Sequence, residues 1–154
     1  MNVLMVTGSY PPQPCGVGDY TARLVEELRR AGVSVDVVTT ADPARRDTTG
    51  IVQQLPDWSA GSWRRALGEL PLGAYDLMHL QYPAKFYGHT PAQALMTFAA
   101  RAAAPALPRL VIFHEYRIVH PLRRLTVGAL AAWADAVTVT AVSSAVPSSL
   151  SLPA

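Results

Sequence analysis

The sequence predicts an α/β chain, a doubly wound, Rossmann-like parallel sheet in a single domain, and three observations carry that reading. Strand-length apolar runs alternate with stretches of helical period along residues 1–142. The runs are continuously apolar, the pattern of strands buried on both faces. The joins between them suit right-handed crossovers that cover a sheet on both sides. At 154 residues, 50% of them apolar, the chain has room for one compact core and no second full domain.

The elements follow in order. Residues 2–7 form a short apolar strand ended by Gly8 and a proline-rich stretch. Asp19 is placed to cap a helix with Leu24, Val25, Leu28 and Ala31 on one stripe and Gly32 as its stop. A second strand runs over 35–40, residues 41–50 read as loop, and 51–55 as a short strand. Residues 59–70 suit a helix with Trp63, Leu67 and Leu70 inward, and 76–80 a strand. Thr90 and Pro91 supply a cap and first turn for a helix to about residue 104, which Pro105 and Pro108 end. A strand over 109–114, a helix from Pro121 to about 134 and a last strand over 136–142 complete the domain, and 143–154 reads as a loose, uncharged tail or linker.

Composition narrows the function. Charged residues make up 16% of the chain, against ~25% in an average soluble domain, which suggests a large core or a face that meets a partner. Basic residues occur at most in pairs, such as Arg64–Arg65 and Arg123–Arg124, so no nucleic-acid footprint is expected. Cys15 is the one cysteine and the N-terminus lacks the pattern of a signal peptide, which makes the cytoplasm the expected compartment. The apolar stretch 125–142 contains Asp135 and ends in a β-branched run, so it reads as helix and strand instead of a membrane span.

In an open parallel sheet, ligands bind beyond the carboxyl ends of the strands. The first such loop closes on Gly16-Val17-Gly18 directly before a helix, where free backbone N–H groups favour a phosphate or a polarised hydroxyl. Spacing alone does not separate an anion site from a turn that merely delivers the chain into the helix. The loop is too long for a dinucleotide fingerprint, its third glycine is replaced by Thr21, and the acid expected at the end of the second strand is missing. No lysine follows a glycine as a P-loop requires. His114, followed by Glu115, ends an apolar strand at the ligand edge, where it either contacts a sugar hydroxyl or departing phosphate or is simply solvated. His79 lies inside a strand and reads as a satisfied core residue. The sequence places no histidine beside Cys15 to make it a nucleophile, and the histidines and cysteine show no metal-ligand spacing, so neither metal nor other cofactor is expected. Trp58, Trp63 and Trp133 read as core or domain-face anchors, the first two as sugar-stacking platforms if 56–63 lines a cleft.

Several ordered landmarks resemble the N-terminal domain of glycosyltransferase family 4, retaining enzymes of the GT-B fold. These are Val3–Thr7 with Tyr10-Pro11-Pro12, Cys15–Leu24, Ala31–Thr39, Tyr75–Tyr82, Val111–Glu115 and Ala134–Val139. The resemblance implies the acceptor-binding half of an enzyme that transfers a sugar from a nucleotide-sugar donor to a sugar or lipid-linked acceptor, without a metal. It implies that Gly16 offers backbone N–H groups to the donor diphosphate or the acceptor, that His114 touches the transferred sugar, and that Gln81 and Tyr82 lie near the acceptor. Where most members have Gly-Gly, this chain has Cys15-Gly16, and it stops where the linker to the donor domain should start. The isolated chain is therefore expected to be inactive until a C-terminal GT-B domain is supplied in cis or in trans. Two other readings stay open: a non-catalytic or split-enzyme module that docks on a separate donor-domain chain, and a small Rossmann-like nucleotide-binding protein. Peripheral contact with the inner face of the membrane is the most that the arginine pairs suggest.

Overall fold

The computed structural model describes residues 1–83, 87, 91–114 and 121–140. Its elements are β1 (Asn2–Thr7), α1 (Gly16–Arg30), β2 (Ser34–Thr40), β3 (Ile51–Leu55), α2 (Ala60–Glu69), β4 (Leu77–Tyr82), α3 (Met96–Ala103), β5 (Arg109–Phe113), α4 (Pro121–Ala132) and β6 (Ala136–Val139). The strands form one six-stranded sheet in the order β3-β2-β1-β4-β5-β6, every pair parallel. The order reverses at β1, so the crevice between the carboxyl ends of β1 and β4 is the topological switch point.

Alternate residues of the strands feed two cores. Val3, Met5, Val35 and Val37 pack with Val25 and the partly buried Leu24 and Leu28 of α1. Leu4, Val6, Val38, Leu80, Val111 and Phe113 point to the other face, with Trp63 and Leu67 of α2, Met96 and Ala100 of α3 and Leu130 of α4. Leu4, Met5 and Val6 are fully buried, which explains why β1 reads as an unbroken apolar run. Each such side chain contributes roughly 1.5–3 kcal/mol. Arg109, 3% exposed, begins β5 and is held by Asp135 at the entry to β6 through its backbone N–H at 2.9 Å and its Nη2 at 2.6 Å.

Three boundaries differ from expectation. Helix α1 begins at Gly16, with Cys15 as a cap residue whose side chain makes no capping hydrogen bond. Asp19 therefore lies in the first turn, its N–H donating to the Cys15 carbonyl at 2.9 Å, where its charge complements the helix dipole without capping. The segment Pro91–Leu95 winds as a 3-10 helix before α3 begins, and Thr90 lies outside the described residues. Strand β6 is shorter than expected and exposed at all four positions; 141–154, including the expected tail, lies outside the described residues. Ser59 caps α2 by accepting from the Ser62 N–H at 3.2 Å.

Candidate functional site

The loop between β1 and α1 is anchored from below. Thr40 at the end of β2 donates its hydroxyl to the Gly8 carbonyl at 2.6 Å and accepts from the Trp58 indole at 2.8 Å. Arg45, in the connection between β2 and β3, is 7% exposed. It donates to the carbonyl oxygens of Tyr10, Pro11 and Thr40 at 3.0, 3.0 and 2.9 Å and to Gln54 Oε1 at 2.8 Å. Burial lowers its guanidinium below the ordinary arginine value, with Asp42 opposing that change. A planar fork can span four acceptors at once, and here it fixes the loop that leads into α1. The available sequence cue is an arginine just after Asp42-Pro43, beyond the carboxyl end of the second strand.

The two loop glycines have different roles. A Cβ at Gly18 would meet the Ser9 carbonyl carbon, oxygen and Cβ at 3.2 Å, so Gly18 permits the helix to lie against the chain below it. A Cβ at Gly16 would meet nothing within 4 Å. Packing therefore does not demand a glycine at 16, and the space beside that first turn is open to a ligand. Val17 is exposed to an intermediate degree and packs against the larger core.

His114 follows β5, half-buried, its backbone N–H donating to the Tyr82 carbonyl at 2.8 Å. Its ring meets Tyr20 of α1 edge to face at 4.9 Å. This contact places His114 beside the first turns of α1, at the same end of the sheet as Gly16. The imidazole Nε2 lies 2.6 Å from Gln81 Oε1, and Nδ1 lies 3.4 Å from the Thr140 hydroxyl. Tyr20 and Thr140 were not foreseen, because both contacts depend on how α1 and β6 pack around β5.

Gln81 and Tyr82 do not reach the surface with their side chains. Gln81 is 0% exposed, its amide spent on His114, His79 and Met5. Tyr82, 4% exposed, donates to Gln93 Oε1 at 3.3 Å and packs with Tyr87 and Phe113. The two alternate across a strand buried on both faces, and both side chains are engaged within the core. Glu115 lies outside the described residues. His79 is a core residue as its strand context suggested; burial, with His114 adding to it, pushes its imidazole down to about 4. Trp58 and Trp63 are buried and donate to Thr40 Oγ1 and to the Met96 carbonyl, which rules out sugar stacking on either ring. Among the described residues, no cluster of three or more His, Cys, Asp or Glu could hold a metal, and no helix is long and apolar enough to cross a membrane.

The open helix N-terminus and the half-buried histidine thus lie at the carboxyl edge of a Rossmann-like domain, the edge at which ligands bind in open parallel sheets. Comparison of the fold gives the class of its neighbours. An α-glucosyltransferase in complex with UDP and a 13-mer DNA containing an HMU base matches with a TM-score of 0.61 at 17% identity over 90% of this chain and 37% of its own. A second α-glucosyltransferase complex, with UDP and a 13-mer DNA containing a central A:G mismatch, matches with a TM-score of 0.62 at 17% identity over 90% and 37% of the two chains. An α-glucosyltransferase in complex with UDP matches with a TM-score of 0.58 at 17% identity over 87% and 33%. The chain thus spans little more than a third of the length of these enzymes. No protein-family model and no curated protein matches the chain. Two of these neighbours hold DNA, a partner that the sparse basic content of this sequence argued against.

Proposed function

We propose that this chain is the acceptor-side Rossmann-like half of a retaining GT-B glycosyltransferase related to family 4, working with a nucleotide-sugar donor and no metal. The observation that carries the proposal is the contact of Tyr20 with His114 at 4.9 Å, which joins the open Gly16 turn to the histidine at one edge of the sheet. In this reading the N–H groups of Gly16, Val17 and Gly18 receive an anionic or hydroxyl group, and His114 is the catalytic-site side chain that meets the transferred sugar. Gln81 and Tyr82 serve the site from within the core, and Glu115 is assigned to substrate binding from its place in the sequence after His114. The fold likeness to UDP-bound α-glucosyltransferases supports this choice over other uses of a Rossmann-like sheet.

A GT-B enzyme closes two domains over its reactants to orient them and exclude water, so half of a cleft binds without turning over. A C-terminal donor domain, in cis or in trans, completes it. The exposed edge-to-face pair Phe98 and Trp133 and the exposed strand β6 have the character of a protein interface, which a donor domain in cis or in trans would cover. The acceptor is a sugar or a lipid-linked acceptor, and the chain works in the cytoplasm with peripheral membrane contact at most.

The test is donor hydrolysis and thermal stabilisation of the isolated chain against UDP- and GDP-sugars. No turnover and no stabilisation is the expected result. Turnover, or stabilisation at micromolar nucleotide, would mean that this one domain holds a complete nucleotide site and would overturn the acceptor-side reading.

A further inference from the structure

Gln81 sits at the centre of a short chain of polar contacts at the switch point. Its Nε2 lies 3.3 Å from Met5 Sδ and 3.1 Å from His79 Nε2, and its Oε1 lies 2.6 Å from His114 Nε2. The strands involved are central: Met5 on β1 is opposite His79 on β4, and Gln81 lies two residues further along β4 on the same face. Gln81 is 0% and Met5 0% exposed, so no solvent competes for these groups.

The chemistry of the partners determines where each proton lies. A thioether can accept a hydrogen bond and cannot donate one. The amide end beside Met5 Sδ is therefore the NH₂ group. Its second hydrogen points to His79 Nε2, which must hold a lone pair, so the neutral His79 ring carries its proton on Nδ1. The amide oxygen then faces His114, and an oxygen can only accept, so His114 carries a proton on Nε2. We infer that Gln81, oriented by Met5, is a positioning residue that keeps a proton on Nε2 of His114 and turns Nδ1 toward Thr140.

This inference deepens the proposed function and, in its ligand half, rests on it. With Nε2–H donated to Gln81, the proposed contact with the transferred sugar falls to the Thr140 side of the ring. The Thr140 hydroxyl lies 3.4 Å from His114 Nδ1 and, at the same distance, from the Phe113 carbonyl, to which it donates. Buried amides that join two imidazoles also couple them: turning the Gln81 amide over would move the proton of both rings together.

The test is imidazole nitrogen-15 NMR of the unliganded chain at neutral pH, which distinguishes protonated from lone-pair ring nitrogens. The expected spectrum has Nε2–H on His114 and Nδ1–H on His79. In Met5→Leu, which removes the acceptor that orients the amide, both rings are expected to show mixed tautomers together. In Gln81→Leu, His114 is expected to lose its Nε2–H preference, with circular dichroism reporting whether the variant folds. A lone pair on Nε2 of His114 in the wild-type chain overturns the inference whether or not either variant folds. So does a His114 tautomer unchanged in folded Gln81→Leu. Because no ligand is used, failure of the glycosyltransferase reading would leave this result untouched, and the two are tested apart.

Discussion

Gly18 rests on Ser9: a Cβ at residue 18 would lie 3.2 Å from the carbonyl carbon, the carbonyl oxygen and the Cβ of Ser9. Backbone cannot swing aside as a flexible side chain can, so Gly18→Ala forces the start of α1 away from the loop. Strain of this kind costs about 1–3 kcal/mol, of which up to about 1 kcal/mol is regained from the better helix propensity of alanine. Gly16→Ala meets open space and is expected to change stability by less than about 0.5 kcal/mol. Urea unfolding of both variants checks the contrast, and equal destabilisation would remove the case that Gly16 is free of packing demands.

Arg45 is expected to be more important to the loop than its position in a surface connection suggests. Arg45→Met removes the guanidinium donor from the carbonyl groups of Pro11 and Thr40 and leaves that of Tyr10 with the Gln13 N–H alone, at an expected cost of about 2–3 kcal/mol. Arg45→Lys should not recover it, because a single ammonium cannot reach acceptors spread around a planar fork. Urea midpoints give the stability, and limited proteolysis of residues 8–15 reports whether the loop has loosened. A lysine variant as stable as the wild type would show that charge alone is what matters there.

The parallel sheet and most of its strands were legible because buried parallel strands write themselves as unbroken apolar runs, as Val3–Val6 and Leu110–Phe113 do. The start of α1 was not, because Asp19 is a strong cap residue type while the actual boundary at Cys15 has no side-chain cap to announce it. His114 and the Gly16–Gly18 turn could be placed from the switch-point rule, since strand ends are visible in sequence. Which way Gln81 and Tyr82 point could not, as both faces of β4 are buried and the run carries no alternation. Arg45 was hidden because its partners are backbone carbonyls at positions 10, 11 and 40, and carbonyls leave no trace in residue identity.

His79 makes stability depend on pH in a defined window. Burial first, and His114 second, lower its folded value from 6.5 to about 4. As pH falls below 6.5 the unfolded chain takes up a proton that the folded chain refuses until about 4, so the unfolded state is increasingly favoured across that interval. The loss approaches about 3 kcal/mol at the lower end, because each pH unit crossed between the two values costs roughly 1.4 kcal/mol. His79→Gln should therefore close the stability gap to the wild type as pH falls from 7 toward about 4.5, within the window where only the unfolded wild-type chain binds the proton. Parallel pH profiles of the urea midpoint for the two proteins would show that His79 does not titrate in this way.

Asp135 offers two ion pairs of unequal weight. One oxygen meets Arg101 at 3.1 Å between side chains that are 44% and 41% exposed, and the other meets Arg109, 3% exposed, at 2.6 Å. An exposed pair contributes at most about 1 kcal/mol, so Arg101→Ala should be nearly silent. Asp135→Ala removes the carboxylate partner of the buried Arg109 guanidinium, leaving it the Ala104 carbonyl at 3.3 Å and an Nε with no hydrogen-bond partner even in the intact protein, and removes the acceptor of the Arg109 N–H at the head of β5. The expected loss is about 3 kcal/mol, since removing one partner of a buried charge costs far more than the pair itself contributes. Replacing both residues, Arg109→Met with Asp135→Ala, should recover most of it by leaving no charge to desolvate. Urea unfolding of the three proteins decides the matter: a double variant as weak as Asp135→Ala alone would mean that Asp135 acts mainly by aligning β5 with β6 through the backbone, and that the buried charge is incidental.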